Sequence, residues 1–332
     1  MANGKRVLVT GAGGFIGSHL TAYLKDKGYW VRGVDLKYPE FQESVADEFQ
    51  IADLRLRDDA MNAVKGVEEV YALAADMGGM GFISAHHAEI LYNNSLINLN
   101  TIEAARVHGV DRYLYTSSAC IYPEHLQTEA DVKPLREEDA YPAAPQDAYG
   151  WEKLVSERLC THYREDYGLN TRIVRFHNIF GEKGTWEGGR EKAPAALCRK
   201  IATAKLTDTP EIEIWGDGEQ TRSFCYIEDC VEGLYRLMKS EFVEPLNLGQ
   251  DRMVSINELA DMIASIAGVG IVKKHVDGPM GVRGRNSDNS KLRSVLNWEP
   301  QVSLEAGLER TYQWIEEEVR MSLSQSTLVQ AV

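Results

Sequence analysis

The chain has 332 residues, of which 44% are hydrophobic and 26% are charged, a balance typical of a globular protein with one large domain or two closely joined domains. Its net charge of −14 argues against nucleic-acid binding, because a surface that follows phosphates needs a basic face. Small anions are not excluded, since local arginines and lysines decide whether they bind. No apolar stretch approaches the roughly 20 residues of a membrane span, so we expect a cytoplasmic protein without membrane contact.

Cysteine and histidine spacing gives no sign of a metal site. The five cysteines are odd in number, and they lack both the CxxC spacing of zinc sites and the density of a disulfide scaffold. The histidine pair at positions 86 and 87 lacks the helical spacing of metal ligands. We therefore predict reduced thiols and no bound metal. The cysteines are Cys120, Cys160, Cys198, Cys225 and Cys230.

Short apolar runs alternate with helical patterns through the first half of the chain, which indicates strands and helices that build a parallel sheet. After residue 176 the pattern becomes irregular and rich in Gly, Pro and charge, which indicates a second lobe. Strands are predicted at 6–10, 29–35, 49–52, 69–74, 113–117 and 172–176, and helices at 14–27, 57–65, 85–108, 147–168, 191–204, 228–239, 256–267 and 303–319.

A glycine-rich turn follows the first predicted strand directly. Gly11, Gly14 and Gly17 form a GxxGxxG pattern, with Phe15 and Ile16 between the last two glycines. Glycines at these positions permit a tight turn, close approach of a pyrophosphate to the backbone, and close packing of the helix that begins there. These five residues are therefore candidates for a dinucleotide site.

Two aspartates follow the next two strands. Asp35 ends the second strand, where a carboxylate would accept both ribose hydroxyls of a dinucleotide and repel a 2′-phosphate. This position favours NAD over NADP. Asp53 follows the third strand, where it could reach the adenine or cap a helix, and the sequence leaves both readings open.

Together these patterns predict an α/β fold with a doubly wound parallel Rossmann sheet and a smaller C-terminal substrate-binding lobe. The NAD-binding domain is expected over residues 1–176, with later segments returning to it, and the substrate-binding lobe over 177–320. Residues 321–332 are rich in Ser and Gln and predict a flexible tail.

The residues of a dehydrogenase active site lie between positions 118 and 153. Tyr149 and Lys153 are spaced i and i+4, so they share one face of a helix, and the ammonium can hold the phenol near ionisation as a general base. Ser118 supplies the hydroxyl, and Cys120 is an additional acid. If the segment after the strand is extended, Ser118 and Cys120 point to the same side.

The glycine turn, Ser118 and the Tyr149–Lys153 pair resemble those of the extended short-chain dehydrogenase/reductase family, whose members act on nucleotide-sugars. Seven further stretches are similar to the members of that family that epimerise GDP-mannose at carbons 3 and 5, and the resemblance covers roughly residues 5–318. These stretches are AADMGGMGF (74–82), SSACIYP (117–123), PQDAYG (145–150), RFHN (175–178), GGREKAPAA (188–196), WGDGEQTRSF (215–224) and GVRGRNSDN (281–289).

This resemblance implies a reaction in three stages at one site. NAD oxidises carbon 4 of the mannose with Tyr149 as base, which makes the hydrogens on carbons 3 and 5 acidic. Cys120 and Lys192 then act as base and acid in the inversions, and the ketone is reduced again. The expected products are GDP-L-galactose and the product inverted at carbon 5 alone, GDP-L-gulose.

The resemblance also implies a substrate site and a homodimer, with no nucleic acid or membrane partner. The dimer contact is expected to use the helices near 85–108 and 147–168. Arginine and lysine side chains of the second lobe are expected to hold the pyrophosphate and ribose of the GDP-sugar, because guanidinium groups match phosphate geometry. The expected substrate-binding residues are Gly78, Ser118, Cys120, Asn178, Glu191, Lys192, Ala193, Lys200, Gln220, Arg222 and Arg285.

Two alternatives remain open from the sequence. A nucleotide-sugar 4-epimerase or 4,6-dehydratase would share the fold, NAD and the Ser118, Tyr149 and Lys153 set, although a dehydratase is expected to carry a carboxylate where this chain has Ala119 and Cys120. A non-catalytic NAD-binding scaffold of the same fold is expected to have lost the tyrosine or the lysine.

Overall fold

The computed structural model describes residues 4–279 and 281–330, and the side chains of all of these except 326–330. No helix in this part of the chain combines the length and the apolar character that crossing a membrane requires. The strands are β1 Arg6–Thr10, β2 Trp30–Asp35, β3 Glu48–Ile51, β4 Glu69–Ala72, β5 Arg112–Ser118, β6 Thr171–Phe176, β7 Asn178–Phe180, β8 Glu211–Trp215, β9 Thr221–Tyr226, β10 Pro245–Leu248, β11 Met253–Ser255, β12 Val272–Val276 and β13 Gly284–Arg285.

Eight of the ten described α-helices overlap the predicted ones, whereas the short helices α3 (Met80–Ile83) and α9 (Ser290–Leu296) were not predicted. The described helices are α1 Phe15–Asp26, α2 Arg57–Val64, α3 Met80–Ile83, α4 His87–Val107, α5 Ala148–Tyr167, α6 Ala193–Thr207, α7 Ile227–Lys239, α8 Ile256–Ala267, α9 Ser290–Leu296 and α10 Leu304–Gln330, with short 3₁₀ helices at Ala119–Ile121, Glu124–Leu126 and Glu137–Ala140.

Seven parallel strands form the central sheet, in the order β10-β6-β5-β4-β1-β2-β3. The chain runs outward from β1 to β3 and then in the opposite direction from β4, so the predicted doubly wound Rossmann sheet is confirmed. The strand β10 comes from the second half of the chain and pairs with β6. All carboxyl ends lie along one edge of the sheet, and ligands of such sheets bind at this edge.

Both faces of the sheet are buried, as β1 illustrates. Val7 and Val9 pack with Leu20 of α1 in one core. Leu8, which points to the opposite face, packs with Ala105 of α4 in a second core. A sheet covered on both faces explains why its strands read as continuous apolar runs rather than as alternating ones.

The C-terminal lobe packs α6, α8 and α10 around one part of the core. It also contains a four-stranded sheet, formed by β7, β9, β11 and β13, and the parallel pair β8 and β12. These strands were not predicted, because most span only two to five residues and lie among glycines and charges. β8 nevertheless carries a usable signal, because its Glu211–Trp215 sequence alternates exposed and buried residues as a half-buried strand does.

Helix α10 extends further than the sequence indicated. The prediction placed a helix at 303–319 and a flexible tail at 321–332, whereas α10 continues to Gln330. Residues 331 and 332 lie outside the described residues. The segment up to Gln330 is therefore helical, and its flexibility stays a prediction.

A buried ion pair fixes β6 against α5 beneath the carboxyl edge. Arg175 Nη2 lies 2.8 Å from Glu157 Oε2, with side-chain exposures of 2% and 3%. Ser117 Oγ donates to the same carboxylate at 2.5 Å. The neighbouring carboxylate of Glu157 raises the pKa of the Arg175 guanidinium, although burial opposes this effect.

We predict that Arg175→Met lowers the free energy of unfolding by about 3–5 kcal/mol, because it leaves the Glu157 carboxylate buried without its cation. Chemical denaturation followed by circular dichroism measures this loss. The matched control is Arg310→Met, which breaks the exposed pair with Glu228 and is expected to cost far less. Equal losses for the two variants would contradict the prediction.

Candidate active site

A cavity of about 330 Å³ lies between the carboxyl edge of the central sheet and the C-terminal lobe. Its walls come from the ends of β5 and β6, the start of α5, the loop before α3, the segment leading into α6, and the strands β8, β9 and β13. The structure therefore gathers side chains that lie far apart in the sequence. All the predicted substrate-binding residues line this cavity: Gly78, Ser118, Cys120, Asn178, Glu191, Lys192, Ala193, Lys200, Gln220, Arg222 and Arg285.

Helix α5 presents Tyr149 to the cavity from its first turn. Asp147 caps the helix, and its carboxylate accepts a hydrogen bond from the backbone N–H of Gly150 at 2.8 Å. A side chain at Gly150 would place its Cβ 2.2 Å from the backbone oxygen of Cys120. Glycine after Tyr149 is therefore required for α5 to pack directly against the segment that carries Cys120.

The segment from Ser118 to Cys120 is not extended, so the predicted geometry is wrong. β5 ends at Ser118, and a 3₁₀ helix begins at Ala119. The Ser118 hydroxyl accepts a hydrogen bond from the Cys120 backbone N–H at 3.1 Å, which caps this short helix. Both side chains nevertheless line the same cavity, because the 3₁₀ turn returns Cys120 to the side of Ser118.

Burial dominates the electrostatics of Tyr149. The residue is 5% exposed, and burial raises the pKa of its phenol well above the ordinary value, with further contributions from Cys120 and Glu152. The Ser118 hydroxyl beside the phenol opposes this shift. The neutral phenol is therefore the stable form in the protein alone.

Lys153 lies near the Tyr149 ring but does not line the cavity. It is 2% exposed, and its ammonium donates to the carbonyl of Thr116 at 3.0 Å, 5.5 Å from the centre of the Tyr149 ring. Burial lowers the pKa of this ammonium, while the charges of Glu152 and Cys120 oppose the shift. Burial therefore opposes the charged form of both Tyr149 and Lys153, and the ability of Lys153 to hold the phenol near ionisation stays a prediction.

Cys120 is half-buried, whereas the other four cysteines are fully buried. Its sulfur accepts a hydrogen bond from Nη1 of Arg285 at 3.3 Å. The sequence analysis expected Arg285 among the groups that hold the pyrophosphate. The structure places its guanidinium in contact with Cys120, near which Lys192 also lies, and the contact of Arg285 with a pyrophosphate stays a prediction.

Lys192 reaches the cavity from the residue that precedes α6. Its side chain is accessible to solvent because it lines the cavity. The ammonium is nevertheless surrounded by protein atoms on the other sides. Burial accordingly lowers the pKa of its ammonium, while the charge of Cys120 opposes the shift. A lowered pKa makes the ammonium readier to give up a proton, as an acid must, and makes the neutral amine easier to form, as a base must.

Further cations and amides occupy the rest of the cavity wall. Burial and the neighbouring charge of Arg285 lower the pKa of the Arg222 guanidinium to about 9. Lys200 donates to the carbonyl of Glu213 at 2.6 Å, and burial together with the charge of Arg199 lowers the pKa of its ammonium. Positive charges held this close repel one another, and a bound anion would relieve that repulsion.

Three further predicted substrate-binding residues form hydrogen bonds within the protein. Asn178 donates to the carbonyl of Ser223 at 2.9 Å, and Glu191 accepts from Arg199 at 2.9 Å. Gln220 donates to the carbonyl of Trp215 at 3.1 Å, and its buried amide oxygen has no protein partner among the described residues. An unpaired buried oxygen is available to a donor on a ligand.

Several residues of the site were not among the predicted ones, among them three that contribute polar or aromatic groups. His177 lines the cavity, and burial followed by the charge of Arg285 lowers the pKa of its imidazole to about 3, so it is neutral. Trp215 lines the same cavity and is 45% exposed. Gln127 contacts Arg285 from behind the wall. His177 lies within the RFHN stretch, which was a usable signal, but nothing in the sequence marks Gln127.

A second region at the carboxyl edge fits a dinucleotide. A Cβ on Gly17 would lie 2.0 Å from the backbone oxygen of Gly11, so only glycine lets α1 pack onto the turn. Helix α1 begins at Phe15, directly after Gly14. The backbone N–H groups of its first turn, which includes Phe15 and Ile16, have no hydrogen-bond partner within the helix. Such a helix start binds pyrophosphate, so these predicted residues fit the cofactor.

Asp35 stands at the glycine turn, as predicted. Its carboxylate accepts from the backbone N–H of Gly13 at 2.9 Å and of Leu36 at 2.7 Å. Burial raises the pKa of this carboxyl, and the backbone hydrogen bonds oppose the shift. A carboxylate fixed by backbone donors has oxygen lone pairs left for ribose hydroxyls.

Asp53 is not a helix cap. Helix α2 begins at Arg57 and Leu56 holds the N-cap position, whereas the Asp53 carboxylate pairs with Arg55 at 2.6 Å. The hydrogen bonds from Arg55 lower the pKa of the Asp53 carboxyl. The capping interpretation is therefore wrong, and contact of Asp53 with an adenine stays a prediction.

Comparisons with known proteins agree with this architecture. The chain is 52% identical to the GDP-mannose 3,5-epimerase 1 of Oryza sativa subsp. japonica over 96% of this chain and 84% of the rice protein. It is 52% identical to the GDP-mannose 3,5-epimerase of Arabidopsis thaliana over 95% of this chain and 83% of that protein.

Among solved structures, the UDP-glucuronic acid 4-epimerase of Bacillus cereus, in complex with UDP-glucuronic acid and NAD, has a similar fold. It superposes with a TM-score of 0.80 and 27% sequence identity, and the match covers 94% of this chain and 99% of that one. The profile of the NAD dependent epimerase/dehydratase family matches residues 7–249. Because the profile spans most of the chain and includes the glycine turn, Ser118, Tyr149 and Lys153, the protein belongs to the NAD dependent epimerase/dehydratase family.

Proposed function

We propose that this protein is an isomerase that converts GDP-mannose into GDP-L-galactose by inverting carbons 3 and 5, and into GDP-L-gulose when carbon 5 alone is inverted. The observation that carries the proposal is the presence of Cys120 and Lys192 in one cavity with Ser118 and Tyr149. The identity of 52% to the rice and Arabidopsis GDP-mannose 3,5-epimerases supports the same substrate.

NAD is the proposed cofactor, because the glycine turn, the start of α1 and Asp35 fit a dinucleotide with a free ribose 2′-hydroxyl. When bound, it supplies hydride transfer at carbon 4 of the sugar in both directions. The glycine turn and Tyr149 lie along the same carboxyl edge of the sheet. The protein therefore has one place for the cofactor and an adjoining place for the sugar.

Tyr149 is the proposed base for the hydroxyl on carbon 4, with Ser118 orienting that hydroxyl. Since burial raises the pKa of the phenol, Tyr149 needs positive charge beside it before it can take a proton. Lys153 supplies one such charge from 5.5 Å behind the ring. Its hydrogen bond to Thr116 keeps the ammonium in that position.

Cys120 and Lys192 are the proposed acid and base of the inversions. Once carbon 4 is a ketone, the hydrogens on carbons 3 and 5 become acidic enough for side chains to remove. Each inversion requires a base on one face of the sugar and an acid on the other. Cys120 follows β5 and Lys192 precedes α6, so the two groups enter the cavity from different elements.

The test is incubation of the purified protein with GDP-mannose in D₂O and identification of the products by NMR. We expect GDP-L-galactose and GDP-L-gulose, with deuterium from solvent at the inverted carbons, and no reaction of UDP-glucose. Unchanged GDP-mannose would contradict the proposal. A product altered at carbon 4, or one that has lost water, would favour the 4-epimerase or the 4,6-dehydratase alternative.

Asp35 sets the predicted cofactor preference. Wild-type protein is expected to bind NAD at least about tenfold more tightly than NADP, a difference of roughly 1.4 kcal/mol. Asp35→Ala should narrow this preference, because the variant no longer repels the 2′-phosphate. Titration calorimetry measures both affinities. The comparison variant is Asp53→Ala: if Asp53 contacts the adenine, this variant should bind NAD and NADP more weakly by the same factor. Equal affinities of the wild type for NAD and NADP would contradict the role of Asp35.

We infer that the protein is a homodimer formed through α4 and α5. Several large apolar side chains on these adjacent helices are exposed, among them Tyr92 at 66%, Leu99 at 47%, Trp151 at 44% and Val155 at 64%. Contact with a second copy would bury them. Sedimentation analysis is expected to show a dimer for the wild type and a monomer for Val155→Arg. Val272→Arg, at another exposed valine on β12, is expected to stay dimeric.

A cytoplasmic location is also proposed. All five cysteines are unpaired, and free thiols persist in a reducing compartment. Fractionation of the source cells, with immunodetection of the protein, is expected to place it in the cytosolic fraction. Recovery in an oxidising compartment would contradict the proposal.

A further inference from the structure

Gln127 is a buried residue, 1% exposed, that lies outside the cavity lining and contacts the site through Arg285. Its amide nitrogen donates to the carbonyls of Tyr122 at 3.1 Å and Pro123 at 3.2 Å. Because both of these partners are acceptors only, the orientation of the amide is determined. Its oxygen must face Arg285, and it accepts from Nε of that side chain at 2.5 Å.

The backbone of Gln127 also holds the strand that carries Arg285. Its carbonyl accepts from the N–H of Arg283 at 2.9 Å and of Gly284 at 3.2 Å. One residue therefore fixes both the strand β13 and the guanidinium at its end. The separation of Gln127 and Arg285 along the chain, 158 residues, shows that this contact is purely tertiary.

The three nitrogens of the Arg285 guanidinium have different environments. Nε donates to Gln127, and Nη1 donates to the sulfur of Cys120 at 3.3 Å. Nη2 has no protein partner within the described residues and is open to a substrate oxygen. No carboxylate in the described part of the chain lies within ion-pair distance of Arg285.

The uncharged amide of Gln127 holds the Arg285 guanidinium without reducing its positive charge. Arg222 lies close enough to Arg285 for their charges to interact, and two guanidiniums repel. Without an acceptor at Nε, Arg285 is free to turn away from Arg222 and from the sulfur. A carboxylate in place of the amide would hold the guanidinium but offset the positive charge that faces Cys120.

We propose that Gln127 is a positioning residue that holds the Arg285 guanidinium against the Cys120 sulfur and so maintains the reactivity of that thiol. A cation beside a sulfur favours the thiolate, which is the form that attacks electrophiles and accepts protons. The proposed effect of Gln127 on the Cys120 thiol is inferred from the contacts alone. A role of Gln127 in the inversion of carbons 3 and 5 rests on the proposed function.

The test compares alkylation of Cys120 by iodoacetamide at neutral pH, in the NAD-loaded protein without substrate, with mass spectrometry confirming the modified residue. Gln127→Met removes the acceptor and is expected to slow alkylation at least about fivefold. Gln127→Glu keeps the shape and the acceptor for Arg285, but it loses the donor to the carbonyls of Tyr122 and Pro123 and adds a negative charge, and it is also expected to slow the reaction. The turnover number with GDP-mannose should fall in both variants by more than the KM changes.

Thr221→Val is the matched control. Thr221 Oγ1 donates to the carbonyl of Ala130 at 2.5 Å, so this substitution loosens the same loop from the same sheet without touching Arg285. It is expected to lower thermal stability but leave the alkylation rate within about twofold. A purely structural role for Gln127 would likewise destabilise the protein without slowing alkylation.

Two results overturn the proposal: wild-type alkylation rates in both folded Gln127 variants, or equal slowing in Thr221→Val. If Gln127→Met does not fold, Gln127→Glu decides the question through the same measurement. Failure of the wild type to epimerise GDP-mannose would overturn the proposed function instead, and the alkylation comparison would still decide the role of Gln127.

Discussion

Tyr149→Phe is expected to abolish epimerisation of GDP-mannose together with any reduction of bound NAD. Oxidation at carbon 4 requires a base for the hydroxyl proton, and the phenol is the side chain placed beside Ser118 for that purpose. Loss of a general base costs about 10²–10⁴-fold in rate, and here every later step depends on the oxidation. Stopped-flow absorbance of NADH and NMR of the sugar products measure the two effects.

The control for this variant is Tyr115→Phe. Tyr115 is another fully buried phenol, and the Lys153 ammonium lies 5.0 Å from its ring, but it does not line the cavity. We expect this variant to retain activity within about threefold. If Tyr149→Phe still produced NADH on addition of GDP-mannose, another group would have to be the base for oxidation.

Cys120→Ala is expected to separate oxidation from inversion. Tyr149 and Lys153 remain in place, so some ketone and NADH should still form transiently. Without the thiol, one partner in the proton transfers at carbons 3 and 5 is missing, and incorporation of solvent deuterium at these carbons should fall by about 10²–10⁴-fold. NMR of the sugar after incubation in D₂O measures this incorporation.

Two cysteine variants sharpen the interpretation. Cys120→Ser keeps the shape but offers a hydroxyl that ionises far less readily than a thiol, so its exchange rate should remain low. Cys160→Ala removes a fully buried thiol on α5 and is expected to leave exchange unchanged. Near wild-type exchange in Cys120→Ala would mean that the thiol only packs, and another acid would have to be sought.

Most elements of the first half of the fold follow from local patterns in the sequence. The strands β1 and β2 and the helices α1, α2 and α5 begin and end within one or two residues of their predicted positions. Hydrophobic periodicity and the glycine turn are local properties, set by residues a few positions apart, so they can be predicted without the tertiary fold. The Tyr149–Lys153 spacing and the position of Asp35 at the end of β2 belong to the same class.

The residues that line the substrate cavity were predicted from the resemblance to a family. Glu191, Lys200 and Gln220 have no pattern of their own that would mark them as neighbours, yet all of them line one cavity. Their assignment came from similar stretches in proteins of that family. Composition and periodicity alone would have left them as surface charges and polar residues of an irregular lobe.

The contacts between side chains of the site depend on the tertiary fold. Cys120 and Arg285 are 165 residues apart, and their contact depends on the pairing of β13 with β9. The raised pKa of Tyr149 follows from burial, which depends on everything packed around α5. Long-range contacts and desolvation arise from the whole fold rather than from spacing along the chain, and for this reason neither the partner of Cys120 nor the anchoring role of Gln127 could be predicted from the sequence.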